Sequence, residues 1–112
     1  MSSFDFSELT VRRAHAAFRD GSLTVRELCE HYLERIKQLE PRLNSVICVN
    51  PKALEEADAA DALIAQSHTF DGALFGIPVM LKDNFNTTDM PTTAGSVALK
   101  GWVPPKDAFV TK

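Results

Sequence analysis

Apolar positions along this chain recur at helical spacing in three stretches and crowd together at strand-like density in two others. In residues 8–20, Val11, Ala14 and Phe18 share one face of a short helix, and Gly21 supplies its stop. A longer stripe follows, with Val25, Leu28, Cys29, Tyr32, Leu33, Ile36 and Leu39 at helical intervals until Pro41 ends it. Thr24 and Glu27 open that helix as a capping box, the hydroxyl accepting from the backbone N–H of Glu27 while the glutamate reaches back. Asn50 and Pro51 begin a third helix as N-cap and first helical residue. Its body over 53–65 sets Ala53, Ala57, Ala60 and Ile64 on a narrow face, small enough to lie close to a sheet. Glu55, Glu56, Asp58 and Asp61 read as its solvated face, biased toward the end where the helix dipole favours carboxylates.

The two dense runs predict strands. Residues 45–49 are short, apolar and β-branched, and residues 76–82 carry no charge until Lys82. Strand, helix, strand implies one βαβ crossover with parallel strands. After it, residues 83–101 lose periodicity and gain Thr, Asn and Gly, the mark of a long functional loop. Residues 102–107 then lead toward a helix capped at Asp107, of which barely one turn remains. Two parallel strands also cannot cover both faces with three helices alone. The expected fold is therefore α/β, a single domain that continues past residue 112.

Composition narrows the function. Apolar residues make up 45% and charged residues 24%, as in ordinary globular proteins, and the net charge of −3 is dispersed along the chain. No basic stripe exists to follow a phosphate backbone, so direct nucleic-acid binding is not expected. Cys29 and Cys48 match no metal or redox spacing and read as small buried hydrophobes. The first residues show no basic region followed by an apolar run, and no stretch is long enough to span a membrane. A cytoplasmic protein without membrane association is the expectation.

His15, His31 and His68 share no ligand spacing and read as structural or surface residues. There is no Gly-x-Ser-x-Gly elbow and no phosphate-cradling glycine loop. Lys82 stands apart. Alternation places Pro78, Met80 and Lys82 on one face of the second strand and Ile77, Val79 and Leu81 on the other, both apolar. A lysine at the carboxyl end of such a strand sits where open α/β sheets form their ligand crevices. Burial there would favour the neutral amine, a competent general base. The plainer alternative has the strand ending and the ammonium reaching water beside Asp83.

The wider context resembles the amidase signature family. The resemblance rests on Gly76-Ile77-Pro78-Val79-Met80-Leu81-Lys82-Asp83-Asn84 followed by Pro91-Thr92-Thr93-Ala94-Gly95-Ser96. Upstream, Leu33-Glu34-Arg35-Ile36, Leu43-Asn44-Ser45-Val46-Ile47, Ala57-Asp58-Ala59-Ala60-Asp61 and Gly72-Ala73-Leu74-Phe75-Gly76 extend it, and Val103-Pro104-Pro105-Lys106-Asp107-Ala108 extends it downstream. The resemblance implies the first βαβ portion of a mixed-sheet α/β/α fold, with N-terminal helices, incomplete in this chain. It implies that Lys82 is the terminal base of a serine–cis-serine–lysine triad hydrolysing small-molecule carboxylic amides, with no metal or organic cofactor. Both serines of that triad lie further downstream in the family, and neither Ser45 nor Ser96 matches their positions. Asp83 and Asn84 are expected to shape the turn that positions Lys82, with Asp83 an electrostatic partner, and residues 92–96 to form part of the active-site wall. Two other readings stand beside this one. The chain could act as a non-catalytic truncated or interaction fragment, or belong to the glutaminase-type subunit of a tRNA-dependent amidotransferase. Among partners, the expectation beside the amide substrate is a homo-oligomer of the full-length enzyme.

Overall fold

A computed structural model describes residues 4–112, which divide into two compact units. The first comprises residues 4–42 and Pro51–Pro78; the second comprises Leu43–Asn50 and Val79–Lys112.

Three helices build the first unit: α1 (Val11–Asp20), α2 (Val25–Leu43) and α3 (Ala53–Ser67). Their starts and stops follow local chemistry. Thr10 caps α1 by accepting from Arg13 N–H at 3.1 Å, and Gly21 closes it in the left-handed conformation. The capping box of α2 forms as expected: Thr24 Oγ1 accepts from Glu27 N–H at 3.0 Å, and Thr24 N–H donates to Glu27 Oε2 at 2.9 Å. The two remaining first-turn donors are satisfied from another helix. Val25 and Arg26 N–H donate to the two carboxylate oxygens of Asp61 on α3, at 2.8 and 3.0 Å. Asp58 meets the Arg26 guanidinium at 2.6 Å. Part of the acidic face of α3 is thus a cap for α2, not the solvated face its local pattern suggests.

The core joins Ala14, Ala17 and Phe18 of α1, Leu23, Val25, Leu28 and Cys29 in and before α2, and Ala57 of α3. Ala53, Ala60 and Ile64 pack against it, so the narrow face of α3 is real but lies on helices. His15 is buried, with Nε2 2.9 Å from the Phe75 carbonyl oxygen and its ring edge-on to Phe70. Phe70 in turn stacks on Phe75 and lies under the Arg19 guanidinium. These contacts seat the segment before Gly76 on α1. Gly76 has φ +70°, and a Cβ there would meet Val25 Cγ2 at 2.8 Å and Phe18 Cε2 at 3.1 Å. Only glycine suits that position, for conformation and for space.

Several expectations are corrected. Pro41 does not end α2, which runs on to Leu43 before Asn44 turns left-handed at φ 48°. Pro41 forfeits the N–H that would bond the Lys37 carbonyl, but only Arg42 and Leu43 follow it in the helix. The third helix starts later than Asn50, at Ala53 after Lys52, without a side-chain cap. Cys29 is buried, and burial raises its thiol pKa, whereas Cys48 is exposed.

The strands over 45–49 and 76–82 do not form, so the βαβ crossover is absent among the described residues. A strand is not self-sufficient: its N–H and C=O groups need a neighbour, and these two segments do not pair as strands. Ile47 and Met80 remain 75% and 71% exposed, where a buried sheet would cover them. The helix expected from Asp107 is likewise reduced to one 3-10 turn, Phe109–Thr111, after Ala108. No helix among the described residues is long and apolar enough to cross a membrane.

Candidate active site

Lys82 lies in the second unit, where side chain–backbone hydrogen bonds take the place of regular structure. Residues 82–85 form a tight turn closed by Phe85 N–H donating to the Lys82 carbonyl at 3.0 Å. Asp83 and Asn84 are its central residues, as expected for the residues that shape it. Lys82 is exposed, so the burial that would favour a neutral amine is not supplied by the described residues.

Asp83 is not the ion-pair partner of Lys82. Its carboxylate turns instead to Thr93: Oδ1 accepts from Thr93 N–H at 2.9 Å, and Oδ2 accepts from the Thr93 hydroxyl. Its carbonyl accepts from Ala94 N–H at 2.8 Å, a third link to the same segment. These bonds hold the Asp83 carboxyl below its ordinary pKa, the Thr93 hydroxyl contributing most and the Thr93 N–H next. Adjacent residues in a turn diverge, while a residue ten positions on can be brought round to meet the carboxylate.

The segment it holds is itself a turn. Ser96 N–H donates to the Thr93 carbonyl at 2.8 Å, with Ala94 at φ 49° and Gly95 at φ 76°. Glycine adopts positive φ freely, but for alanine it costs on the order of 1 kcal/mol, a strain kept only where surrounding bonds impose it. Thr92, buried, donates its N–H to the Trp102 carbonyl at 2.9 Å, anchoring the other side of the segment. A second tether fixes the rest of the loop. Asp107 Oδ1 accepts from the N–H and hydroxyl of Thr88, at 2.8 and 3.2 Å. The Asn86 carbonyl accepts from Ala108 N–H and the Thr111 hydroxyl, each at 2.9 Å. The expected helix cap at Asp107 is therefore spent on Thr88.

Residues 82–84 and 92–96, both expected at the site, are thus brought together through Asp83. Ser96 closes the turn that Thr93 opens, and the three histidines lie in the other unit. The specific partnership of Asp83 with Thr93 has no signature in the sequence; the nearest signal is an aspartate after Lys82 and two threonines at 92 and 93.

Comparison with known proteins gives this arrangement a context. A family model described as Amidase matches residues 27–112. A probable amidase of Arabidopsis thaliana is 43% identical over 99% of this chain. One of the glutamyl-tRNA(Gln) amidotransferase subunits of Bdellovibrio bacteriovorus is 38% identical over 93% of it. Among solved structures, a peptide amidase in complex with the competitive inhibitor chymostatin is 40% identical and superposes with a TM-score of 0.87 over 96% of the chain. The native peptide amidase of Stenotrophomonas maltophilia gives 39% and 0.86 over 95%. The chain spans 22% of the length of each of these two structures, and 22% and 21% of the Arabidopsis and Bdellovibrio relatives. With a family match over most of its length and a backbone like that of the corresponding part of the peptide amidases, this chain belongs to the amidase family.

Proposed function

We propose that this chain carries the base-bearing segment of an enzyme that hydrolyses carboxylic amides, with Lys82 as the base. The observation that carries the reading is the placement of Lys82 within the matched family segment, at the end of Gly76-Ile77-Pro78-Val79-Met80-Leu81-Lys82-Asp83, whose Asp83 is tethered to Thr93. In the mechanism this supports, the neutral Lys82 amine draws a proton through a bridging serine held by a cis peptide. A second serine, so activated, attacks the amide carbonyl. The amine leaves with a proton, and water releases the acid from the acyl-enzyme. Oxyanion stabilisation would come from backbone N–H groups of a glycine-rich segment. Neither serine is matched in this chain, so both would come from sequence equivalent to the rest of the relatives. Enclosure by that sequence would also supply the burial that Lys82 lacks here.

On this reading residues 1–112 alone release no ammonia or amine from any amide. The test is a chimera in which they replace the corresponding part of the Stenotrophomonas maltophilia peptide amidase. The chimera should hydrolyse amides, and Lys82→Ala should abolish that while folding is retained. A folded chimera without turnover, or near-normal turnover in the variant, rejects the reading. Identity of 38–40% to glutamyl-tRNA(Gln) amidotransferase subunits supports a second reading, in which the amide is glutamine and the ammonia passes to a partner. The Pro91-Thr92-Thr93-Ala94-Gly95-Ser96 form favours the general amidase. Glutamine-dependent ammonia release by a complex containing this chain, without hydrolysis of simple amides, would reverse that preference.

A further inference from the structure

We propose that Asp83 is a positioning residue for Lys82, acting through Thr93 to lock the Lys82–Phe85 turn to the strained Thr93–Ser96 turn. The inference rests on Lys82 being the base, and goes beyond it by giving Asp83 a role distinct from charge pairing.

Three bonds carry the argument. Both carboxylate oxygens of Asp83 are engaged by one residue, Thr93, through its N–H and its hydroxyl, and the Asp83 carbonyl takes the next N–H, that of Ala94. Thr93 Oγ1 also accepts from Gly95 N–H at 3.3 Å, so the hydroxyl links the carboxylate to the far side of the positive-φ pair. Removing either side chain breaks the hydroxyl–carboxylate bond and leaves the Asp83 carbonyl to hold Ala94 N–H with less support, which loosens the coupling of the two turns. Lys82 is the first residue of one of those turns, with its carbonyl bonded across it. Its aim is therefore set by a clamp on the adjacent residue. Displacement of a reacting group by about 1 Å can cost on the order of 10²-fold in rate, so such a clamp has catalytic weight without touching substrate.

Isosteres separate this role from an electrostatic one. Asp83→Asn keeps the geometry: the amide oxygen can accept from Thr93 N–H and the amide NH₂ can donate to the Thr93 hydroxyl, with the charge gone. Thr93→Ser keeps the hydroxyl and Thr93→Val removes it. In the peptide amidase chimera, assayed well below each variant's melting temperature, Asp83→Ala and Thr93→Val should each lower kcat on the order of 10²-fold. KM should stay within about twofold, because substrate binding is not the function lost. Asp83→Asn and Thr93→Ser should recover most of the rate. The double variant Asp83→Ala/Thr93→Val should be no worse than Asp83→Ala alone, which already breaks both bonds between the carboxylate and Thr93. Asparagine as damaging as alanine at position 83 would overturn the clamp in favour of charge, and an unimpaired Thr93→Val would overturn it outright. Loss of activity in Lys82→Ala with both alanine and valine variants unimpaired would sink the clamp and leave Lys82 standing. Full activity in Lys82→Ala would remove the reading beneath both.

Discussion

The two units of this chain hold their shape by different means. The first buries Leu23, Leu28, Phe18 and five smaller residues among three helices, and its polar bonds mainly finish helix ends. Among the described residues the second buries only Thr87, Thr92 and Pro104, and it leaves Val79, Met80, Val97, Phe109 and Val110 largely exposed. Its order comes from carboxylates and hydroxyls reaching backbone groups: Asp83 to Thr93, Asp107 to Thr88, Thr111 to Asn86. Apolar packing is non-directional and tolerates small shifts, whereas a bidentate carboxylate specifies position and little bulk stability. A region that must aim one side chain is better served by the second kind of construction. The proposed base lies in the unit specified by hydrogen bonds.

Packing in the first unit carries the largest expected effect. Leu28→Ala removes a side chain that is 1% exposed, and should cost about 2–5 kcal/mol, read as loss of the cooperative helical signal in denaturant. If the first unit tolerates it within about 0.5 kcal/mol, packing is not what holds the helices. A smaller loss, about 1–2 kcal/mol, is expected for Asp61→Ala, which strips two first-turn donors of α2 of their acceptor. Loss of α2 helicity should begin at its N-terminus, which amide hydrogen exchange would resolve.

The smallest effect belongs to the second unit and to pH. Asp83 titrates below its ordinary range in the folded chain, so its contribution to stability is fully present above the unfolded value, about pH 4. It is lost as the pH falls through the lower, folded value. The side-chain carboxyl resonance of Asp83 should therefore show a depressed midpoint by NMR. Thr93→Val should raise that midpoint toward the ordinary one, while the helices of the first unit keep their protection. An unchanged midpoint would mean that Thr93 is not the group holding the carboxylate ionised.

Legibility of the fold from sequence follows the same divide. Helix positions are legible because periodicity, the Thr24–Glu27 box and Gly21 are local signals. Apolar density over 45–49 and 76–82 misleads, because it says nothing of whether a pairing neighbour is present. Asp61 reads as solvated because a cap donated by one helix to another leaves no mark on either pattern. The same holds for the close approach that makes Gly76 obligatory. At the site, Lys82 stands out through resemblance more than through periodicity. The adjacency of Lys82 and Asp83 suggests an ion pair, where the folded turn sends the carboxylate to Thr93.

The most direct measurement is the rate of amide release by the peptide amidase chimera with Lys82 replaced by alanine. Loss of a general base in an activating relay costs on the order of 10²–10⁴-fold, and a drop of that size with an unchanged melting temperature is the predicted result. Turnover within about twofold of the unsubstituted chimera would show that Lys82 is not the base.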